Sequence, residues 1–163
     1  MSTGDLVFFK QTDRWYLPDY LIRLFTHSPW VHVGMILKDP KFLGLKGTYI
    51  WESDSLGGVQ IHPFTVNPRR TWIRKYRGDG VPEEKLKEIH ELVHGKPYDK
   101  NPIDWIEAAI GKDFTPQRTN SFWCSALVGC ILTKIGVLDS NTDWSIMSPD
   151  HLANFYSKYY HPL

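Results

Sequence analysis

Alternation of apolar and polar positions dominates the first half of the chain. The run WVHVGMIL (30–37) puts Val31, Val33, Met35 and Leu37 on one face and His32 and Gly34 on the other, the period-two signature of a strand. DLVFFK (5–10), GTYIWES (47–53), GGVQIHPF (57–64) and RTWIRKY (70–76) are rich in β-branched and aromatic residues and predict four further strands. LPDYLIRLF (17–25) interrupts the series with a proline–aspartate start suited to a short helix.

Beyond residue 80 the period lengthens. PEEKLKEIHELVHGKPY (82–98) opens on proline and two acids, carries Leu86, Ile89 and Val93 at helical spacing, and stops at Gly95 and Pro97. IDWIEAAIG (103–111) predicts a short helix. NSFWCSALVGCILTKIG (120–136) predicts a longer one, capped near Asn120 or Ser121 and closed by Gly136. SPDHLANFYSKYY (148–160) begins on another Ser-Pro-Asp start. Strands first and helices afterwards is the α+β pattern, and the absence of repeats or linkers makes 1–163 a single domain.

Composition narrows the classes. A net charge of +1 over 163 residues gives no strong pull toward nucleic acid or an anionic membrane. Arg69, Arg70, Arg74, Lys75 and Arg77 form the one local basic cluster, read as a solvated strand edge rather than a phosphate site. The longest apolar run, 122–132, is far short of the ~18 residues of a membrane span. MSTGDLVFFKQTD has an acid at Asp5 and no basic leader, so the expected location is cytoplasmic. If Cys124 and Cys130 share a helix they stand about 9 Å apart along its axis. A disulfide tolerates no more than about 7 Å between Cα atoms, so both are expected as free thiols.

The position of Cys124 raises the chemical question. It falls in the first turn of its helix, where unpaired N–H groups and the positive dipole end favour an anion. Thiolate is the nucleophilic form of cysteine. The plainer reading, a small buried hydrophobe, fits Cys130 in the middle of the same helix. A thiolate nucleophile wants a proton-handling partner, and that imidazole wants an orienting group. Strands 30–37 and 48–53 are expected to pair across the loop at 38–47, bringing His32 and Glu52 together, with Gly34 leaving room for something to approach. An ionised glutamate in an apolar strand needs a partner. Cys124, His32 and Glu52 are therefore a candidate triad; the alternative for His32 is a hydrogen-bonded structural role.

The ordered segments SPWVHVGMIL, YIWESDSLGGVQIHPF, GKPYD, NSFWCSALVGCILTKIGVL and MSPDHLANF resemble the NlpC-type papain-like cysteine hydrolases. The match is to their circularly permuted branch, which includes the YiiX-like, poxvirus and lecithin:retinol acyltransferase groups and places the histidine strand before the cysteine helix. The resemblance implies a papain-like antiparallel sheet packed against helices, with the nucleophile at a helix N-terminus. It implies a thiol hydrolase or acyltransferase acting on an amide or ester of a peptide or lipid-type acyl substrate, without a cofactor. The family nucleophile falls on Cys124, the base on His32 and the third polar residue on Glu52. The tyrosine of the G-x-P-Y segment, which helps to hold the oxyanion, falls on Tyr98. Unpermuted members carry Asp before the cysteine and Ser-Gly after it. Here the run is Trp123-Cys124-Ser125-Ala126, which points to the permuted branch and away from a cell-wall peptide substrate.

A rival motif competes. HELVH (90–94) matches the zinc-hydrolase pattern in which two histidines bind metal and the glutamate activates water. The helix ends directly after the second histidine, and a third ligand would have to be Asp99, Asp104 or Glu107. The favoured expectation is a boundary helix with two half-buried histidines and no metal. A non-catalytic binding module on the same fold is the other alternative. The segment 11–30, crowded with Trp15, Tyr16, Tyr20, Phe25 and Trp30, is long enough to be a cover over a site or a helix packed on the sheet. His27, His62, His151 and His161 read as surface or capping residues, His62 being the one best placed to approach the site.

Overall fold

The computed structural model describes residues 1–10, 29–99 and 119–161. Within them five strands form one antiparallel sheet: β1 Leu6–Lys10, β2 Trp30–Lys38, β3 Thr48–Asp54, β4 Gly58–Pro63 and β5 Thr71–Arg74, in the order β4-β3-β2-β1-β5. Three α-helices are described, α1 Glu83–Val93, α2 Cys124–Lys134 and α3 Pro149–Asn154, with a 3-10 turn at Lys41–Leu43. The architecture is α+β. The helices predicted at 17–25 and 103–111, and nearly all of the 11–30 segment, lie outside the described residues.

All five predicted strands form, and side-chain alternation sorts their faces. Leu6, Phe8, Val33, Met35, Leu37, Trp51 and Val59 join the helices in the main core. Val7, Ile36 and Ile50 make a smaller cluster with Phe9, Phe64 and Ile73 on the opposite parity. The simple alternation expected for 30–37 fails at its start. A register irregularity between Phe9 and Lys10 sets Trp30 opposite Lys10, so Trp30 rather than Val31 enters the main core. The fifth strand stops at Arg74, earlier than expected, because Lys75 and Tyr76 turn to the buried Asp5. The Lys75 ammonium donates to its Oδ2 at 2.8 Å and the Tyr76 amide to its Oδ1 at 3.0 Å.

The hairpin between β3 and β4 is set by Asp54, whose Oδ1 accepts from the amides of Leu56 and Gly57 at 2.9 and 2.6 Å. Gly58 then takes φ +68°, and a Cβ there would lie 2.3 Å from the Lys96 carbonyl oxygen. That closeness lets the 95–98 run lie along β4, with the Val59 amide donating to Lys96 O at 2.8 Å.

Helix α2 is apolar on every side, and residues 124–132 are all buried, as such a helix must be. It ends in a Schellman arrangement: Val137 N–H reaches Leu132 O at 2.9 Å and Gly136 N–H reaches Thr133 O at 3.0 Å. Helix α1 buries one stripe, Leu86, Ile89 and Val93, against the same core. Helix α3 starts on the expected cap, with Ser148 and His151 bonding each other's backbone N–H. It runs only six residues, far fewer than 148–160. Arg74 explains the stop. Expected on a solvated edge, it is instead 2% exposed, and its guanidinium donates to the carbonyls of Leu152, Phe155 and His161. Those bonds fold 155–161 back across the sheet, where the Tyr160 hydroxyl donates to Gly4 O. No helix among the described residues is long and apolar enough to cross a membrane.

Candidate functional site

The β2–β3 ladder runs from Lys38↔Thr48 to Met35↔Trp51 and ends there. Beyond that point β2 stays paired with β1 as far as Trp30, and β3 stays paired with β4 as far as Asp54. The sheet therefore forks, with His32 on one prong and Glu52 on the other. The chain leading into α2 is tied to the β3 prong: the buried Ser53 hydroxyl donates to Phe122 O at 2.6 Å.

The same approach segment fixes where α2 begins. Tyr98 and Phe122 form a parallel bridge, in which Phe122 N–H donates to Pro97 O at 3.1 Å and Asp99 N–H to Phe122 O at 3.2 Å. Ser121 Oγ donates to Asp99 Oδ2 at 2.7 Å. With 121 and 122 committed to this strand-like pairing, the helix cannot start near Asn120 or Ser121 as expected. It starts at Cys124, behind an extended Trp123 whose side chain caps nothing and whose indole N–H reaches Ser145 O at 3.0 Å. Cys124 is the first helical residue.

His32 links the sulfur to the carboxylate. Its Nε2 lies 2.7 Å from Glu52 Oε2, and the ring also hydrogen-bonds the Cys124 side chain. With Nε2 committed to Glu52, Nδ1 is the nitrogen left for the sulfur. Burial works against a charged ring here. Attraction to Cys124 and the hydrogen bond with it, then the bond and charge of Glu52, outweigh burial and raise His32 from 6.5 to about 10. Burial likewise opposes ionisation of Glu52, yet hydrogen bonds and charge from His32 and then His62 hold its carboxyl down at about 2. The second oxygen, Oε1, lies 2.7 Å from His62 Nε2. Cys124 is 3% exposed, while the side chains of His32 and His62 are 23% and 43% exposed, so water meets the cluster on its histidine side.

His62 is the contact that pattern reading undervalued. The hairpin pairs Ile50 with His62 and Glu52 with Gln60, which makes His62 a diagonal neighbour of Glu52 on one face. Counting outward from the Gly57-Gly58 turn would have found it. Gly34 leaves room as expected, but the room belongs to Ile50: a Cβ on Gly34 would lie 2.7 Å from Ile50 Cδ1. Tyr98 is half-buried on the strand-like segment beside Phe122, two residues before the cysteine. Both cysteines are free, and burial pushes the Cys130 thiol up to about 11.

The HELVH residues are arranged differently. His90 is half-buried, with its ring centroid 5.6 Å from that of Phe42 and 6.1 Å from that of Trp51. His94, expected half-buried, is exposed because α1 ends at Val93 and His94 is its C-cap. The two imidazoles stack at 4.4 Å and 28°. Glu91 faces outward toward Lys87, at 3.9 Å. Asp99 holds Ser121, and Asp104 and Glu107 lie outside the described residues. Among the described residues no group of three or more His, Cys, Asp or Glu side chains converges as metal ligands would.

The fold and site together define a small α+β protein with a cysteine at a helix start and a histidine–glutamate pair at a forked sheet. No family model matches the sequence. Among solved structures, the fold is similar to that of the metalloprotein YiiX from Escherichia coli O157:H7, with a TM-score of 0.57 and 20% identity. The alignment covers 88% of this chain and 77% of that one. At that identity the likeness is one of fold.

Proposed function

We propose that this protein is a thiol hydrolase or acyltransferase of the permuted papain-like type, acting on an amide or ester of a peptide or lipid-type acyl group. The observation that carries the reading is the line Cys124–His32–Glu52, in which one ring contacts the sulfur and, at 2.7 Å, a carboxylate held ionised. A ring favoured in its protonated form beside a sulfur supports a thiolate–imidazolium pair. Cys124 Sγ attacks the acyl carbon, and the carbonyl π pair moves onto oxygen. Backbone N–H groups at the start of α2, with the Tyr98 hydroxyl, are the candidate donors to that oxyanion. Collapse expels the amine or alkoxide, which takes the proton from His32 Nδ1, and leaves a thioester. Neutral His32 then removes a proton from water or an acceptor nucleophile, which attacks the thioester and releases Sγ as thiolate. Glu52 keeps the ring oriented throughout. A reducing, cytoplasmic setting suits two free thiols.

The name of the YiiX neighbour refers to a metal. Here the Nε2 atoms of His32 and His62 are turned onto the two Glu52 oxygens, so these groups point at one another rather than at a shared centre. The thiol reading is therefore preferred.

Incubation with p-nitrophenyl acetate, followed by intact-mass and peptide mass spectrometry, tests it. An acetyl adduct on Cys124 and none on Cys130 is expected, with its formation abolished in His32→Ala. Equal, slow labelling of both thiols that ignores His32→Ala would refute the reading.

A further inference from the structure

We propose that His62 is a fourth member of this site, a positioning residue that clamps Glu52 from the side opposite His32; the inference rests on the thiol reading above. The sheet order supplies the bracket. β3 lies between β2 and β4, and each neighbour contributes one imidazole to the carboxylate. His32 Nε2 meets Oε2 and His62 Nε2 meets Oε1, both at 2.7 Å. A carboxylate accepts only, so both nitrogens carry hydrogen. One such bond leaves a glutamate free to turn about its last torsion, which is broad and soft. Two bonds from opposite strands fix the plane of the carboxylate. Oε2 then stays aimed at His32, and through it the ring stays aimed at the sulfur.

The surroundings leave this role to His62. Among the described residues, the charged and titratable groups that act on this line besides His62 are Cys124 from α2, His32 from β2 and Glu52 itself. Asp54, two residues further along β3, is engaged by Gln60 Nε2 at 2.7 Å and by its own hairpin amides. From β1, Phe9 sets its ring centroid 5.3 Å from that of His32, and from the end of β4 Phe64 stands 6.3 Å from Phe9. Aromatic edges thus enclose one side of the line, and the water-facing end is His62. Its Nδ1 lies 3.2 Å from Pro63 O.

The test is the pH dependence of Cys124 alkylation by iodoacetamide, followed by peptide mass spectrometry in the wild type, His62→Ala and His62→Gln. Loss of a charge-directed hydrogen bond makes Glu52 easier to protonate. The acid limb of the His62→Ala profile is therefore expected about one pH unit higher than in the wild type. Gln retains an amide N–H and is expected to return the limb most of the way. A merely structural His62 would lower the whole curve without moving the limb, and an unmoved limb overturns the proposal while leaving the thiol reading intact. Failure of the wild type to label Cys124 ahead of Cys130 sinks the thiol reading, and this proposal with it. A reading on the unaltered protein comes from long-range 1H–15N spectra of the histidine rings. Hydrogen on His62 Nε2 near neutrality is expected, and a bare Nε2 facing Glu52 overturns the clamp even if the variants do not fold.

Discussion

His32 and Glu52 are 20 positions apart in the chain and meet at 2.7 Å, beyond the last backbone pair of the strands that carry them. Their contact is made by side chains across a fork rather than by ladder registry. Glu52→Gln keeps the shape, removes the charge and can offer Oε1 or Nε2 to the ring. Cys124 alkylation is expected to fall on the order of 10²-fold, the lower range for loss of a positioned proton-handling unit. Unchanged labelling in that variant would remove Glu52 from the site.

Stability should depend on pH in two separate windows. Burial opposes ionised Glu52, yet bonds from both histidines bring it from 4.5 down to about 2. Its contribution is present above 4.5 and is lost as pH falls from there through about 2. Burial also opposes charged His32, but Cys124 and Glu52 raise it from 6.5 to about 10. That contribution is complete below 6.5 and is lost as pH rises through about 10. Thermal melts at fixed ionic strength should show the alkaline decline reduced in Cys124→Ser and the acid decline reduced in Glu52→Gln. Parallel curves for all three proteins would contradict both assignments.

Ser53 Oγ is the tie between β3 and the chain entering α2, at 2.6 Å from Phe122 O. Ser53→Ala should cost about 1 kcal/mol, because the carbonyl retains its second donor, the Asp99 amide. The informative outcome is kinetic. Cys124 alkylation should slow more than chemical denaturation predicts, since the anchor of its helix start is gone, whereas labelling at the wild-type rate would make the tie purely structural.

His90 sits against Phe42 and Trp51, so His90→Ala should lower stability by about 1 kcal/mol through lost packing. Cys124 labelling should be untouched. Treatment with a chelator should leave both melting temperature and labelling unchanged, because the stacked HELVH rings do not converge on a common point. Stoichiometric zinc lost on His90→Ala would reinstate the metal reading.

The strands were legible because alternation at 30–37 and the β-branched and aromatic content of 47–53 are local signals that the sheet merely uses. Glu52 announced itself as an acid in an apolar strand, and the pairing of its strand with that of His32 was expected, although the contact itself is made beyond the end of that ladder. What remained hidden depended on contacts remote in sequence. Arg74 looks like one cation in a basic cluster, and only the returning 155–161 segment makes it a buried donor to three carbonyls. The shift of the helix start to Cys124 likewise depends on Phe122 pairing with Tyr98, 24 positions earlier. His62 was accessible in principle from hairpin counting, but its meaning depends on which oxygen of Glu52 was already taken.

The bond from the Tyr160 hydroxyl to Gly4 O has a topological consequence. Because the first and last described stretches lie side by side, a short peptide bridging them would close the backbone into a ring without disturbing β1. Reopening that ring at the exposed turn around Gly80 would give a polypeptide that reads α1 and α2 before β1 and β2. The cysteine would then precede the histidine in a reordered gene, with every contact of the forked sheet retained.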